Sequence, residues 1–243
     1  MALSFPVVWS DAQRLHAPET GVWLGVAIAA DEVPARADCI RGVLEEAGAI
    51  VVAAEAHDDE TLLAVHDAGL IEFLRSAWSE WQAEGYRDDP GQADVVCYIF
   101  PTTAGLLSGL EPRCARGASR VGLLDVDAHH GNGAQAIFPG ARRRPHRVRA
   151  RRPGRGLVPA LPRVPGRKRA VEPERHAPVA LGVDAGTDDP NSPLAVTEDG
   201  FREAGRRLGA LALPTVVVQE GGYVLDTVGL LVLAALEGID ETR

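Results

Sequence analysis

Cysteine is scarce in this chain, which holds only Cys39, Cys97 and Cys114. An odd count with no CxxC spacing excludes a disulfide framework and a thiolate zinc site. Long apolar runs are missing as well, and none reaches the roughly 18 residues that a membrane span requires. The opening MALSFPVVWSDAQRLH lacks a basic segment followed by an apolar stretch and a small-residue cleavage site, which argues against a secretory leader. Aromatic residues make up only 5% of the chain. Against these shortages stand 243 residues, 46% of them hydrophobic and 24% charged. That is enough for one large domain with a sizeable core, and too apolar for a disordered chain. The expectation is a globular, cytoplasmic protein with no membrane partner.

The formal net charge of −9 conceals an imbalance. Residues 141–178 hold 12 Arg and one Lys against Glu172 and Glu174, together with seven prolines. Nothing in this block has a strand or helix period, and a structureless stretch that long sits badly inside a compact domain. A solvated basic loop is one reading. A nucleic-acid-binding arm is another, since clustered arginines attract phosphate. The block has no interleaved aromatics, and the rest of the chain is strongly acidic, so a nucleic-acid partner is disfavoured.

Outside the block, apolar runs alternate with helical patterns. FPVVW (5–9) reads as a buried strand. Pro34 suits the first turn of a helix carrying Ile40, Val43, Leu44 and Ala47, with Gly48 as its stop. Residues 61–81 read as one helix, or as two broken near Gly69. RVGLLDVDAHHGNG (120–133), PVALGVDAG (178–186) and PTVVVQEGGY (214–223) read as strands running into polar or glycine-rich turns. VTEDGFREAGRRLGAL and LDTVGLLVLAALEGI read as the helices that follow the last two strands. Strands alternating with helices imply an α/β fold with a parallel sheet, whose chemistry gathers at the carboxyl ends of the strands.

Asp127, His129, Asp184 and Tyr223 all fall just after apolar runs, where one rim of such a sheet brings them together. Asp127 and His129 are two apart, so on an extended segment they point the same way. Two carboxylates and an imidazole leave an open position on a zinc ion, as catalytic sites do. Zinc so held activates water and polarises a carbonyl oxygen, and Tyr223 is placed to hydrogen-bond an oxyanion. Each piece has a plainer reading: DxH as a turn, tyrosine after two glycines as core, aspartate at a strand end as a helix cap.

Taken together, LDVDAHHGNGAQAIF, LGVDAGTDDPNSPLAVTEDGF and VVVQEGGY resemble the zinc-dependent histone deacetylase family, above all its bacterial acetylpolyamine amidohydrolase branch. HAPE (16–19), EVPARADCIRGVL (32–44) and VHDAGLIEFL (65–74) look like that family's N-terminal region. The resemblance covers residues 1–112, 118–140 and 178–243. It implies a single domain over 1–243: a three-layer α/β/α fold of arginase/deacetylase type with a mainly parallel sheet, truncated internally near 105–118. It further implies Zn²⁺ held by Asp127, His129 and Asp184, an oxyanion-stabilising Tyr223, and Asp125 and Asn132 orienting a pair of catalytic histidines. The substrate implied is an acetylated polyamine or an acetyl-lysine side chain. A homo-oligomer is a further partner the resemblance brings in.

Two departures stand out. The family's PGHHA-like histidine pair is missing between the N-terminal region and DVDAHH, and without an imidazole beside it Asp125 is expected to be an unpaired charge. The basic block replaces a tunnel-lining strand and loop, as a coding segment read out of frame from Ala141 to about Arg175 would. Deacetylase activity is therefore expected to be weak or absent in this chain. The alternatives are an inactive metal-binding remnant, or an arginase-like binuclear hydrolase. The latter wants a carboxylate where Gly131 stands.

Overall fold

The computed structural model describes residues 3–23, 26–64, 66–88, 93–95, 120–121, 123–129, 131 and 175–243. Asn132, the expected gap near 105–118 and the basic block from 141 to 174 lie outside the described residues.

The N-terminal part begins with strand β1 (Pro6–Trp9), a short 3-10 turn and an antiparallel hairpin of β2 (Thr20–Trp23) and β3 (Val26–Ala29). Helix α1 (Pro34–Glu46) starts on proline, whose missing N–H costs nothing in a first turn, and buries Arg36, Ile40 and Leu44. It delivers the chain to β4 (Ile50–Ala53), which lies parallel to β1. The region 61–81 resolves into two helices, α2 (Asp59–Leu63) and α3 (Ala68–Ala83). The break falls just ahead of Gly69, because Asp67 caps α3 by accepting the Gly69 N–H at 2.7 Å. The hairpin and β4 were not anticipated. IVVA is β-branched, yet four residues carry too little period to announce a strand.

The second part builds the sheet that matters. Short strands β5 (Arg120–Val121) and β6 (Leu124–Asp125) run parallel to β7 (Arg175–Leu181) in one unbroken register, Arg120 opposite Arg175 and Asp125 opposite Ala180. Strand β8 (Thr215–Gln219) is parallel to β7 on its other side. The last residues of the basic block, Arg175 to Pro178, thus belong to β7. That corrects the expectation that the strand starts only at residue 178: backbone pairing with β5 recruits residues whose side-chain types gave no period.

Helix α4 (Glu198–Gly209) carries acids in its first turn and arginines in its last, both favourable to the helix dipole, and Thr197 caps it. It buries Phe201 and Leu208. Helix α5 (Leu225–Asp240) is largely apolar and buries nine residues, while Asp226, Leu230, Glu237 and Asp240 mark its outer side. It packs against both α1 and α4. The core runs from Val179, Leu181 and Val183 on the β7 side to Val228, Val232 and Ile239 on α5. The fold is α/β with parallel strands. Among the described residues no helix is long and apolar enough to cross a membrane.

Candidate metal centre

Three neighbouring parallel strands end on the same rim. After β6 the chain turns through Asp127 and His129; after β7 it passes Gly182 and Val183 to Asp184; after β8 it passes Glu220 and two glycines to Tyr223. Loops leaving the carboxyl ends of adjacent parallel strands share one crevice. The ligand atoms of Asp127, His129 and Asp184 accordingly lie within 4.8 Å of one another.

Asp184 is fully buried, at 0% exposure. Its Oδ1 accepts the Ala128 N–H at 3.0 Å, whereas its Oδ2 has no hydrogen-bond partner. Yet His129 Nδ1 stands 2.6 Å from that same Oδ2 and 3.1 Å from Asp127 Oδ1. The two facts are compatible once the ring's other nitrogen is considered. His129 Nε2 lies 3.1 Å from the Asn191 carbonyl, which can only accept, so Nε2 carries the proton. In the neutral ring Nδ1 then offers a lone pair towards the carboxylates, whereas a proton on Nδ1 pairs with them, the direction in which Asp127 and Asp184 shift the ring. A buried, unpaired oxygen beside two other electron-rich atoms is costly alone. A shared cation resolves it, so these residues fit a divalent metal ion.

Glycine gives the carboxylates their room. A Cβ at Gly182 would collide with Asp127 Oδ2, and one at Gly221 would lie 2.7 Å from the same atom and 3.1 Å from Asp184 Cγ. Side chains at these two positions would fill the cradle. Gly131 is similarly closed off by the Asp125 carboxylate, so the position that an arginase-like second metal would need holds no ligand.

The electrostatics agree with a site built for positive charge. Burial pushes the Asp184 carboxyl above its usual range, the Ala128 amide opposes this, and the Asp127 charge adds to it. Burial also raises Glu220, reinforced by Asp125, Asp127 and Asp184. For His129 burial acts downward, but the Asp127 and Asp184 carboxylates outweigh it and the net shift is upward. Burial and the Glu32 charge push the Tyr223 phenol up to about 12, with Arg36 pulling the other way.

Asp125 keeps a backbone donor. It accepts the Asp127 N–H at 3.1 Å and so shapes the turn between the two metal-side residues. Asn132 lies outside the described residues. Two supporting residues escaped sequence reading. Arg36 donates from Nε to Gly222 O at 2.6 Å and from Nη2 to Glu220 O at 2.5 Å. Its guanidinium sits 4.8 Å from the Tyr223 ring centroid. Asp189 receives the Tyr223 amide at 2.9 Å. An arginine on an otherwise amphipathic helix, and an aspartate in a proline-containing loop, have no local signal for such contacts.

The parallel sheet with helices packed on it is an α/β fold of the arginase/deacetylase type. The crystal structure of an acetylpolyamine aminohydrolase from Burkholderia pseudomallei superposes with a TM-score of 0.70 at 21% identity, covering 99% of this chain and 100% of that one. The histone deacetylase domain matches residues 169–239. The acetylpolyamine amidohydrolase of Mycoplana ramosa is 27% identical over 337 aligned positions, spanning 96% of this chain and 99% of that protein. That of Burkholderia pseudomallei is 38% identical over 142 residues, 45% of this chain and 41% of that one. In sequence and in fold the chain is similar to the histone deacetylase and acetylpolyamine amidohydrolase family.

Proposed function

We propose that this chain is a zinc-binding amidohydrolase of the deacetylase type, directed at acetylated amines such as acetylpolyamines or acetyl-lysine, with turnover limited by a missing base. The observation that carries the reading is the buried, unpartnered Oδ2 of Asp184, set against His129 Nδ1 and Asp127. Zinc bound here would supply a Lewis acid for the acetyl carbonyl and an activated water. Asp127, His129 and Asp184 would hold it, with Asp125 shaping the turn that carries two of them. Tyr223 keeps its proton at neutral pH, since the phenol is pushed up to about 12. It can therefore donate a hydrogen bond to the oxyanion formed as water adds to the amide.

Of the seven histidines, only His129 and His130 are adjacent in sequence, and both fall in the DVDAHHGNG segment. Without a separate base, proton transfer falls to water, at a cost of about 10²- to 10⁴-fold in rate. This favours a second reading, an inactive metal-binding remnant. One experiment separates them: purified protein, metal content measured, assayed with N-acetylputrescine and an acetyl-lysine peptide beside Asp184→Ala. Slow metal-dependent acetate release above the variant supports the amidohydrolase. Stoichiometric zinc with no turnover supports the remnant, and no zinc at all sinks both.

A further inference from the structure

The segment after Asp184 does more than connect β7 to α4. It is closed at its base, where the Thr187 N–H donates to Val196 O at 3.2 Å and the Val196 N–H to Ala185 O at 2.9 Å. At its turn Asp188 adopts φ +70°, a left-handed conformation uncommon outside glycine that aspartate tolerates better than most residues. The next residue, Asp189, is 8% exposed. Its Oδ2 accepts the Tyr223 N–H at 2.9 Å, and its Oδ1 accepts the Asn191 N–H at 3.0 Å. The Asn191 carbonyl is in turn the partner of His129 Nε2.

We infer that Asp189 is the positioning residue of the centre, one carboxylate that sets Tyr223 and, through Asn191, the tautomer and orientation of His129. This rests on the metal reading above. Its two oxygens reach separate loops, the second of them 34 residues away in sequence. If either N–H lost its acceptor, a partly buried donor would go unsatisfied and its loop would reorient. Asn191 O would no longer hold Nε2–H, so Nδ1 would not be reserved for a metal. Partners that fix a ligand histidine in this way typically govern about 10- to 100-fold in metal affinity.

The test uses Co²⁺ as the metal probe and ¹⁵N-tyrosine labelling, which the three tyrosines of the chain make simple to read. In the wild type the Tyr223 amide is expected to exchange slowly with solvent. Asp189→Asn keeps the shape but turns an NH₂ towards one of the two donors. It is expected to speed Tyr223 exchange at least about tenfold, shift the Co²⁺ visible bands and weaken Co²⁺ binding by about 10- to 100-fold. Asp189→Ser serves if the amide variant does not fold. A wild-type Tyr223 amide that exchanges freely overturns the proposal. So does an unchanged Co²⁺ affinity in whichever variant folds, even if its melting temperature drops, since that is a purely structural role. If the wild type itself fails to bind Co²⁺, the metal reading falls, while the exchange data still decide whether Asp189 anchors the Tyr223 loop.

Discussion

His129 Nδ1 stands 2.6 Å from Asp184 Oδ2, and that oxygen still has no hydrogen-bond donor. With the ring neutral the two lone pairs oppose each other, and a proton or a metal cation between them removes the conflict. Most of what the centre should do under perturbation follows from that contrast.

Asp184→Asn should separate binding from stability. Burial and the Asp127 charge both disfavour an ionised Asp184, so a neutral side chain relieves the metal-free protein. Its melting temperature is expected to hold or rise. The additional stabilisation that zinc confers by mass action should vanish, with affinity down at least about 100-fold. Differential scanning fluorimetry with and without zinc measures both. A large loss of metal-free stability would contradict the account.

Metal binding should strengthen with pH and release protons, because ligands must be deprotonated. The folded pKa of His129 is raised above its ordinary 6.5 and that of Asp184 above 3.8. For both groups the sign is the same. In the metal-free protein the stabilisation they contribute is fully present below those ordinary values and is lost as pH rises through the folded ones. Calorimetric titration with zinc in two buffers of different ionisation heat should show proton release that fades at higher pH.

Tyr223 gives an independent window at alkaline pH. Its phenol is pushed from 10.0 to about 12, so the folded state holds this proton more tightly than the unfolded chain. Stability should fall as pH climbs through that interval. Tyr223→Phe should remove the drop. Phenolate absorbance followed beside chemical unfolding checks it.

Arg36→Ala takes the guanidinium from the Gly222 carbonyl, while Glu220 O keeps the Gln219 Nε2 amide at 2.8 Å; an unsatisfied buried group costs about 1–3 kcal/mol. Melting should fall by about 2–4 °C for each kcal/mol in a chain of this size. Arg36→Lys should recover little, since an ammonium cannot reproduce the planar fork that reaches two carbonyls.

Gly221→Ala places a methyl 2.7 Å from Asp127 Oδ2. Overpacking of this kind costs about 1–3 kcal/mol, and here the strain falls on a candidate ligand. Zinc affinity is expected to drop about tenfold or more, as for other disturbances around ligand side chains. Isothermal titration of the folded variant reads it.

The juxtaposition of Asp127, His129, Asp184 and Tyr223 was legible because each follows an apolar run, and parallel neighbours must end on one rim. The helices of α1, α4 and α5 were legible through proline, caps and periodic apolar positions. The supports were not. Arg36 reaches the Tyr223 loop from a helix nearly 190 residues earlier in the chain, donating to Gly222 across a separation of 186, and no local pattern encodes that approach. Asp189 sits in DDPNSP, which reads as a turn whatever its carboxylate does. The β2–β3 hairpin, of four residues a strand, offers too few alternations to distinguish it from loop.

The constant register of β5 and β6 against β7 has a kinetic corollary. Arg120 pairs with Arg175 and Asp125 with Ala180, so the chain must close a long, entropically costly excursion before His129 can meet Asp184. Parallel pairings at such sequence separation form late and slowly. The metal ligands therefore exist as a set only once the sheet is complete. On the metal reading, capture of the ion would then mark the end of folding and latch the finished topology instead of nucleating it.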